Sequence, residues 1–272
     1  MNVQVLLSAG SLDNSFAGGM SFEMDSSQSL EGIFNEHSEV GVLLPTYCEA
    51  QNIERLIDEI EDLDVNTSIL VIDDSSPDGT SDMVRDCQRK YDNILLFVRP
   101  KKSGLGTAIT DGFRIFLSME APPEYVITMD ADYSHNPKDI LRLVSVAKSG
   151  SGLVIGSRYC RGGSTLNWGP LRLVISRIAN TLASLMIGAR IHDYTSGFRC
   201  YSTDLIRRIV EDLHSQTYEI QIETIRQAWK RMFKVVETPV AFVNRKKGKS
   251  KLTPNEIRGF LSYIVSLECR RG

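Results

Sequence analysis

The sequence lacks the features that mark a secreted, metal-stapled or membrane-spanning chain. Its five cysteines, among 272 residues, form no CxxC pair, so no zinc or disulfide framework is visible and a reducing, intracellular setting is favoured. No stretch has the roughly 18 or more uncharged apolar residues of a transmembrane helix. The N-terminus lacks the positive region of a signal peptide. The net charge of -3 gives no basic field that would favour nucleic acid.

The composition that is present is that of an ordinary soluble protein, with 42% hydrophobic and 24% charged residues. Residues 1–38 are rich in Ser, Gly, Asn and Asp without periodicity, so we expect a disordered N-terminal arm, with a short strand at 3–7 as the alternative. We expect residues 39–272 to form one domain. Its sequence pattern changes near residue 160, which divides it into a first half, 39–160, and a second half, 161–272.

Apolar runs alternate with helical periodicity through the first half of this domain. Strands are predicted at 40–45, 68–73, 94–98, 125–129 and 153–155, and helices at 53–63, 80–91, 106–119 and 138–147. This alternation predicts the α/β class, with a mostly parallel sheet flanked by helices. Beyond residue 160 the alternation weakens into a mixed portion. There the pattern predicts helices at 171–187, 203–212 and 219–231, a strand at 234–243 and a terminal helix over 254–269.

Two aspartates follow the predicted strand 125–129 at once. Asp130 and Asp132 stand at its carboxyl end, where open α/β sheets bind their ligands. Two close carboxylates repel each other unless a positive charge lies between them. A hard cation takes oxygen ligands and commonly keeps a phosphate as partner. The pattern therefore favours a cation and phosphate site, and a solvated turn is the alternative.

Two further strand ends carry side chains of the same kind. Residues 45–49 (PTYCE) and 73–80 (DDSSPDGT) follow the first two predicted strands, and parallel strand ends meet at one crevice. The GxGxxG and GxxxxGK[ST] fingerprints are absent, which removes the main support for hydride transfer and for ATP hydrolysis. The loop 102–108 contains glycines that would let backbone approach a ligand, or it is simply a turn and helix cap.

As a set, the motifs resemble one enzyme family. PTYxE, DDxSPDGT, GLGTA, DADxSH, GSRY, TSGFR and FxxRxxGxSKL occur in order over about residues 40–268 and resemble the dolichol-phosphate (polyprenyl-phosphate) mannosyltransferases of glycosyltransferase family 2. The resemblance implies a GT-A fold and inverting transfer of mannose from GDP-mannose to a polyprenyl (dolichyl) phosphate, giving a β-linked product. A UDP-glucose-dependent polyprenyl-phosphate glucosyltransferase is the alternative, and a nucleotide-sugar-binding subunit without catalysis is a further one. A nucleotidyltransferase would need an N-terminal glycine-rich signature that this chain lacks.

The resemblance further implies that the first half, 39–160, binds the nucleotide sugar and that the second half, 161–272, faces the acceptor and a membrane surface. It also implies residue roles. Nucleotide-sugar contacts are expected from Pro45, Tyr47, Glu49, Asp74, Asp78, Gly104, Asp130 and Lys251, and the ligands of Mg²⁺ or Mn²⁺ are expected to be Asp130, Asp132 and Ser134. Ser134 stands where the family often has Gln or Ser, and Cys48 replaces the usual Asn of PTYNE.

The acceptor can be argued from its own chemistry. A phosphate is already ionised near pH 7, so it needs cations more than a strong base. Guanidinium groups bind phosphate in a bidentate manner, which makes candidates of Arg158, Arg172, Arg199 and Arg245. The resemblance supports Asp132, Arg158, Arg172 and Arg245 as the catalytic set and implies an acceptor side with Arg199, Gln221 and Glu223. For the last two residues, capping and pairing within a helix is the alternative.

A lipid acceptor requires a surface for its tail. The predicted helix 171–187 is amphipathic enough to lie among lipid headgroups, although a core helix is the alternative. The basic segment 245–251 is predicted to close over the diphosphate or touch anionic lipid. Nucleic acid is disfavoured because aromatic residues do not interleave there. We expect a peripheral protein on the cytosolic face of a membrane. The sequence leaves open whether small membrane-anchoring subunits take part.

Overall fold

A computed structural model describes residues 2–8, 28–244 and 263. Its strands are β1 (Asn2–Ser8), β2 (Ser29–Asn35), β3 (Val40–Thr46), β4 (Thr67–Asp73), β5 (Ile94–Val98), β6 (Tyr125–Thr128), β7 (Leu153–Ser157), β8 (Ser164–Leu166), β9 (Arg199–Ser202), β10 (Val235–Pro239) and β11 (Ala241–Val243). Its helices are α1 (Ile53–Glu61), α2 (Thr80–Gln88), α3 (Leu105–Ser118), α4 (Asp139–Lys148), α5 (Pro170–Ile187), α6 (Thr203–Ile209) and α7 (Ile220–Lys230), with a 3₁₀ turn at Val210–Asp212.

One nine-stranded sheet organises the fold. Its strand order is β1-β2-β5-β4-β3-β6-β9-β7-β10, and β8 and β11 form a separate parallel pair. The central strands β5, β4, β3 and β6 are parallel, whereas β2, β1 and β9 run antiparallel to their neighbours. The predicted α/β class, with a mostly parallel sheet flanked by helices and a mixed C-terminal portion, is confirmed.

Both faces of the sheet are buried. Every residue of β4 is buried, and its alternate side chains enter two different cores: Ile69 and Val71 on one face, Leu70 and Ile72 on the other. Side chains of α1, α2 and α4 complete the first core, and side chains of α3, α6 and α7 complete the second. A strand covered on both faces must be apolar throughout, which explains the unbroken apolar run of its sequence.

The N-terminal residues correct one prediction. The disordered arm expected over 1–38 is wrong for β1 and β2, which add two antiparallel strands to the edge of the sheet. Leu30 and Phe34 of β2 are buried, 4% and 2% exposed. Their burial stabilises β2, although the Ser-rich composition of the segment does not indicate a strand. The alternative of a short strand at 3–7 agrees with β1.

The second half departs from the sequence pattern at two places. The strand predicted over 234–243 is divided, because β10 pairs with β7 in the main sheet whereas β11 leaves it to pair with β8. The short strand β9, inserted antiparallel between β6 and β7, has no apolar run and was missed. The terminal helix predicted over 254–269 lies outside the described residues.

Helix α5 is long, apolar and largely uncovered. Pro170 begins it and Gly188, at φ 77°, ends it. Its large apolar side chains are exposed along one stripe: Leu171, Val174, Ile175, Ile178, Leu182 and Leu185. The alternative of a core helix is therefore wrong. In the described part of the chain, α5 alone has the length, 18 residues, and the mean hydropathy, 1.2, of a possible membrane span. Length and composition do not distinguish a spanning helix from one that lies on a surface.

The end of α7 provides a test of local conformation. Met232 follows this helix at φ 60° and is 90% exposed, and the N–H of Phe233 reaches back to the carbonyl of Ala228. This is the position where glycine is preferred, because a Cβ is strained at positive φ. We expect Met232→Gly to raise the free energy of unfolding by about 1 kcal/mol, which is a rise of about 2–4 °C in Tm.

Urea and thermal denaturation measure this change. The matched control is Lys230→Gly, inside the last turn of α7, which is expected to lower stability because glycine is a poor helix former. Equal effects of the two substitutions would contradict the conformational explanation.

Candidate active site

An open cleft lies at the carboxyl ends of β3, β4 and β6. Its walls bound about 730 Å³ of space, which includes solvent at the open mouth. Its lining combines the ends of the three strands with the loop that enters α3 and the turn that precedes α7: Pro45, Thr46, Tyr47, Glu49, Ile72, Asp74, Lys102, Gly104, Leu105, Ala108, Asp130, Ala131, Asp132, Thr217 and Tyr218.

The cleft gathers many of the residues that the sequence had pointed to, and leaves others out. Those that line it are Pro45, Tyr47, Glu49, Asp74, Gly104, Asp130 and Asp132; those that do not are Asp78, Ser134, Arg158, Arg172, Arg199, Gln221 and Glu223. Arg245 and Lys251 lie outside the described residues. Asp78 is exposed and serves the start of α2, because its carboxylate accepts hydrogen bonds from Ala50 N and from the backbone and hydroxyl of Thr80.

One end of the cleft combines an aromatic ring with a buried acid. The Lys102 ammonium lies 4.5 Å from the centroid of the Tyr47 ring, a cation–π contact. Glu49 is 6% exposed, and its Oε2 accepts a hydrogen bond from the Asn52 side chain at 2.9 Å. A ring for stacking, an acid that can receive N–H groups and a nearby ammonium suit a nucleoside with an attached phosphate.

A buried arginine fixes the acid beside them. Arg99 is 2% exposed; its Nε donates to Asp74 Oδ1 at 2.6 Å, and its Nη1 to Asp111 at 3.1 Å. The other oxygen of Asp74 accepts a hydrogen bond from Ser103 N at 3.2 Å. Arg99 was not predicted from the sequence because its partners Asp74 and Asp111 are 25 and 12 positions away along the chain. The network holds the carboxylate of Asp74 at the wall of the cleft.

The acidic motif itself forms a tight turn after β6. The Asp130 side chain is 40% exposed, whereas Asp132 is 8% exposed and its Oδ1 accepts a hydrogen bond from Ser134 N at 3.0 Å. Tyr133 adopts φ 59°, an uncommon conformation for an aromatic residue. This turn directs Ser134 and His135 inward, where they are 1% and 2% exposed.

His135 is neutral at physiological pH. Burial lowers its pKa to about 4; the Asp132 carboxylate opposes this shift, and the Arg158 guanidinium adds to it. Its Nε2 lies 4.0 Å from Asp130 Oδ2. Neither ring nitrogen of His135, nor the hydroxyl of Ser134, has a hydrogen-bond partner among the described residues.

These side chains suit a divalent cation for which the protein would supply only some of the ligands. No group of three His, Cys, Asp or Glu side chains forms a ready-made cage in the portion of the chain that is described. Mg²⁺ is typically held by one or two carboxylates with substrate phosphates and water completing its shell. Asp130 and Asp132 would supply such carboxylates, and the Ser134 hydroxyl, two positions after Asp132, has no hydrogen-bond partner among the described residues.

Close backbone contact brings the second half of the chain to the cleft. Gly106 N donates to Gln216 O at 2.9 Å, and a Cβ at Gly104 would lie 2.3 Å from the same oxygen. Glycine is required at Gly104, which also has φ 101°, for this approach. The contact places Thr217 and Tyr218 at the cleft. The glycines were noted in the sequence, but no sequence pattern indicated the turn that packs on them.

Two of the predicted phosphate-binding arginines lie together behind the acidic motif. Arg158 is 7% exposed and bonds to Asp193 through its backbone N, its Nε and its Nη2 at 2.9, 2.8 and 2.6 Å. Burial works against both charges, but the pairing dominates: it raises the pKa of Arg158 and lowers the pKa of Asp193. Arg172, on α5, donates from Nη1 to Asn244 Oδ1 at 2.8 Å.

The third arginine has a structural role. Arg199 is fully buried, and its guanidinium donates to the backbone oxygens of Ser196, Tyr194 and Gln221 and to the Thr224 hydroxyl. Its predicted contact with an acceptor is therefore wrong, because these bonds direct the guanidinium into the core. The chain around Arg199 is instead locked to the start of α7.

The two α7 residues on the predicted acceptor side differ from each other. Glu223 is 4% exposed, and its Oε2 accepts hydrogen bonds from the backbone N of His214 and Ser215 at 3.1 and 2.9 Å. These bonds tie Glu223 to the loop before α7, so the alternative of capping and pairing within a helix is not what is found. Gln221 is 2% exposed, and its Oε1 has no partner among the described residues. Its amide nitrogen and the Asp130 carboxylate both lie near Gly197. Its role on the acceptor side stays a prediction.

Comparison with known sequences identifies relatives over most of the chain. The family model described as "Glycosyl transferase family 2" matches residues 41–210. Polyprenol monophosphomannose synthase of Mycolicibacterium smegmatis is 36% identical over 219 residues, covering 80% of this chain and 82% of that protein. Undecaprenyl-phosphate mannosyltransferase of Micrococcus luteus is 32% identical over 212 residues, covering 78% and 86%.

Solved structures share the architecture. Glucosyl-3-phosphoglycerate synthase of Mycobacterium tuberculosis, in complex with Mn²⁺, UDP and glucosyl-3-phosphoglycerate, superposes with a TM-score of 0.60 at 18% identity, covering 86% of this chain and 80% of that one. Its complex with Mn²⁺, UDP and phosphoglyceric acid gives a TM-score of 0.61, covering 86% and 78%. At this identity the match establishes the fold alone.

The buried Arg158–Asp193 pair generates a stability prediction. Removing one partner of a buried ion pair leaves the other charge without compensation. We expect Asp193→Asn to lower the free energy of unfolding by about 3–5 kcal/mol. Because the pKa of Asp193 is lowered in the folded state, the stabilisation is present above the unfolded pKa of an aspartate and is lost as pH falls through the lower folded value.

Denaturant unfolding at pH 7 measures this loss. The matched control is Asp204→Asn, which breaks the Arg208–Asp204 pair, whose side chains are both 62% exposed; it should change stability by less than about 1 kcal/mol. If the two substitutions cost the same, the buried pair is not the stabilising interaction inferred here.

Proposed function

The chain belongs to glycosyl transferase family 2, and we propose that it transfers mannose from GDP-mannose to a polyprenyl (dolichyl) phosphate. The resemblance of its motifs to polyprenyl-phosphate mannosyltransferases, the GT-A fold and the assignment as a glycosyltransferase are confirmed. The names of both curated relatives specify a mannosyl group and a polyprenol, which supports mannose over the glucose alternative.

A single observation carries the proposal. Asp130 and Asp132 follow β6 and line the same cleft as Tyr47, Glu49 and Asp74, which lie after the neighbouring parallel strands β3 and β4. One end of the cleft thus suits a nucleoside, and the other end is acidic and attracts cations. Both ends belong to one cleft. A nucleoside diphosphate sugar has the same polarity, with a base at one end and a diphosphate and sugar at the other.

The acidic side chain at the nucleoside end of the cleft supports guanine over uracil as the base of the donor. Guanine offers an N1–H and an adjacent N2 amino group, which a carboxylate can accept as a pair, whereas uracil offers one ring N–H between two carbonyls. Glu49 is buried at the cleft wall, 6% exposed, whereas both oxygens of Asp74 are already engaged by Arg99 and Ser103. Hydrogen bonds of N–H groups to a carboxylate are stronger than those between neutral groups. We therefore favour a GDP-linked donor.

Asp130 and Asp132 would hold Mg²⁺ or Mn²⁺, with Ser134 close enough along the chain to contribute its hydroxyl. When bound, the cation neutralises charge on the diphosphate leaving group. The two carboxylates would thereby set the place of the diphosphate at the end of β6. Lys102 also lines the cleft and would add a positive charge for the same group.

The reaction is a single displacement. An oxygen of the acceptor phosphate attacks the anomeric carbon, the bond from that carbon to the diphosphate oxygen breaks, and the bonding electrons leave with GDP. Attack from the opposite side inverts the anomeric centre, so an α-linked donor gives a β-linked lipid product. The phosphate is ionised and needs no strong base. Arg158 and Arg172, with Arg245 outside the described residues, are the proposed contacts for its charge.

Helix α5 suits the lipid part of the acceptor. Its exposed apolar stripe starts at Leu171, directly beside Arg172, so a phosphate head and an isoprenoid tail would find adjacent surfaces. The helix contains two arginines and no acidic residue, a composition that favours anionic lipid headgroups. We propose that α5 lies on the cytosolic face of a membrane, with the cleft open to the donor.

Transfer assays test the reaction. Purified protein with labelled GDP-mannose and undecaprenyl phosphate should give a lipid-soluble mannosylated product, UDP-glucose should be consumed more slowly, and EDTA should stop transfer. Asp130→Asn and Asp132→Asn should each lower kcat by about 100-fold or more, because charge stabilisation of the leaving group is lost.

The control variant is Asp204→Asn, whose exposed side chain pairs with Arg208 on α6 and should leave transfer unchanged. If the protein used UDP-glucose in preference to GDP-mannose, the glucosyltransferase alternative would be favoured instead. Full activity after removal of divalent ions would remove the assigned role of Asp130 and Asp132.

Vesicle flotation tests the membrane surface. The double substitution Leu171→Glu and Leu185→Glu, at positions 72% and 70% exposed, should weaken binding to vesicles of phosphatidylglycerol and phosphatidylcholine by about tenfold or more, because burial of each leucine stabilises the bound state. Met232→Glu changes a residue that is 90% exposed elsewhere and should leave binding unchanged. Equal loss in both proteins, or none in the double variant, would exclude α5 as the contact.

A further inference from the structure

Trp168 lies at the centre of the arginine pair. The guanidinium carbon of Arg172 is 4.1 Å from the centroid of the Trp168 ring, and that of Arg158 is 5.3 Å from the same ring. Tryptophan is the best aromatic partner for a cation, and the usual limit for such contacts is about 6 Å. Two cations that would otherwise repel each other thus share one electron-rich ring.

Each guanidinium is also fixed from outside the ring. Arg158 is anchored by Asp193, as described above, and Arg172 by Asn244. The Asn244 side chain in turn donates from Nδ2 to Asn167 O at 3.2 Å, next to Trp168. Asn167 has φ 62°, a conformation that asparagine tolerates better than most residues. The loop that presents the indole is therefore tied to the arginine that lies on it.

Phe242 links the indole to the acidic motif. Its ring meets Trp168 edge to face, with centroids 5.2 Å apart, and meets His135 edge to face at 5.0 Å. A contiguous row of rings therefore runs from the turn of Asp130 and Asp132 to the two arginines. The indole Nε1–H is buried and has no hydrogen-bond partner in the described part of the chain. A donor kept without an acceptor beside two guanidiniums indicates a place for an anion.

We propose that Trp168 is a positioning residue for the acceptor, whose indole face holds the guanidiniums of Arg172 and Arg158 ready for a phosphate monoester. The proposal rests on the proposed function in one respect: it takes the monoester to be the head of the polyprenyl acceptor rather than part of the donor. Near pH 7 such a group carries a charge of about -1.5 to -2. The two guanidiniums carry two positive charges and Asp193 offsets one of them, so the phosphate would meet a net positive charge.

The chain offers its own spectroscopic probe. Its two tryptophans are Trp168 and Trp229, and Trp229 is 47% exposed on α7. In a Trp229→Phe protein the tryptophan emission comes from Trp168 alone. A short-chain isoprenyl phosphate, citronellyl phosphate, should change this emission saturably, and GDP-mannose should not. Inorganic phosphate, which lacks the tail, should act in the same direction at higher concentration.

Steady-state kinetics separate positioning from general damage. Trp168→Leu should raise KM for the isoprenyl phosphate by about tenfold, with KM for GDP-mannose unchanged, because a cation–π contact with each guanidinium is lost. Trp168→Phe keeps an aromatic face and should recover most of this loss. Thermal denaturation identifies any variant that fails to fold, in which case the emission of the Trp229→Phe protein still decides the matter.

Three results would overturn the proposal. The first is an acceptor KM in Trp168→Leu equal to that of the unmodified protein. The second is emission that follows GDP-mannose and ignores citronellyl phosphate, which would assign the ring to the donor and leave mannosyl transfer intact. The third is an equal rise of both KM values. Failure of the proposed function looks different: citronellyl phosphate would alter the emission of Trp168, yet no mannose would be transferred to it.

Discussion

The site depends on the parallel pairing of β3 with β4 and β6. Parallel strands end at the same edge, so the acids that follow each apolar run are brought together, although they are far apart in sequence. Concentrated negative charge at that edge is tolerable only with compensation. Arg99 supplies it within the protein for Asp74. The end of β6 has a different solution, because the carboxylate of Asp130 remains partly exposed toward the cleft, where a cation and a diphosphate can complete the balance.

Much of this arrangement could be predicted from the sequence, because it follows from local pattern. An apolar run followed by acids identifies a buried strand and its functional end, and Pro45–Thr46, Asp74 and Asp130 were located in this way. The failures have a common physical origin in partners that are distant along the chain. Arg199 resembles a phosphate ligand until the backbone oxygens around it are known. Thr217 and Tyr218 reach the cleft only because Gly104 and Gly106 allow another loop to pack on them.

The strand β2 was missed for a related reason. β2 has few strongly apolar positions, and its order comes from pairing with β5 and from the burial of Leu30 and Phe34. Composition reports the average character of a segment, whereas a strand at the side of a sheet needs only alternate side chains to be buried. The same limit applied to β9, whose residues pair on both sides with strands far away in sequence.

The apolar stripe of α5 has a consequence for how substrate is found. It begins one residue from Arg172, so a chain resting on lipid through α5 would hold its phosphate-directed arginines at the depth of the headgroups. Encounter with a lipid-borne acceptor then becomes a two-dimensional search. The quantity that governs saturation is the mole fraction of acceptor in the bilayer, and diluting the membrane with inert lipid slows the encounter even when the amounts of protein and acceptor in the tube are constant.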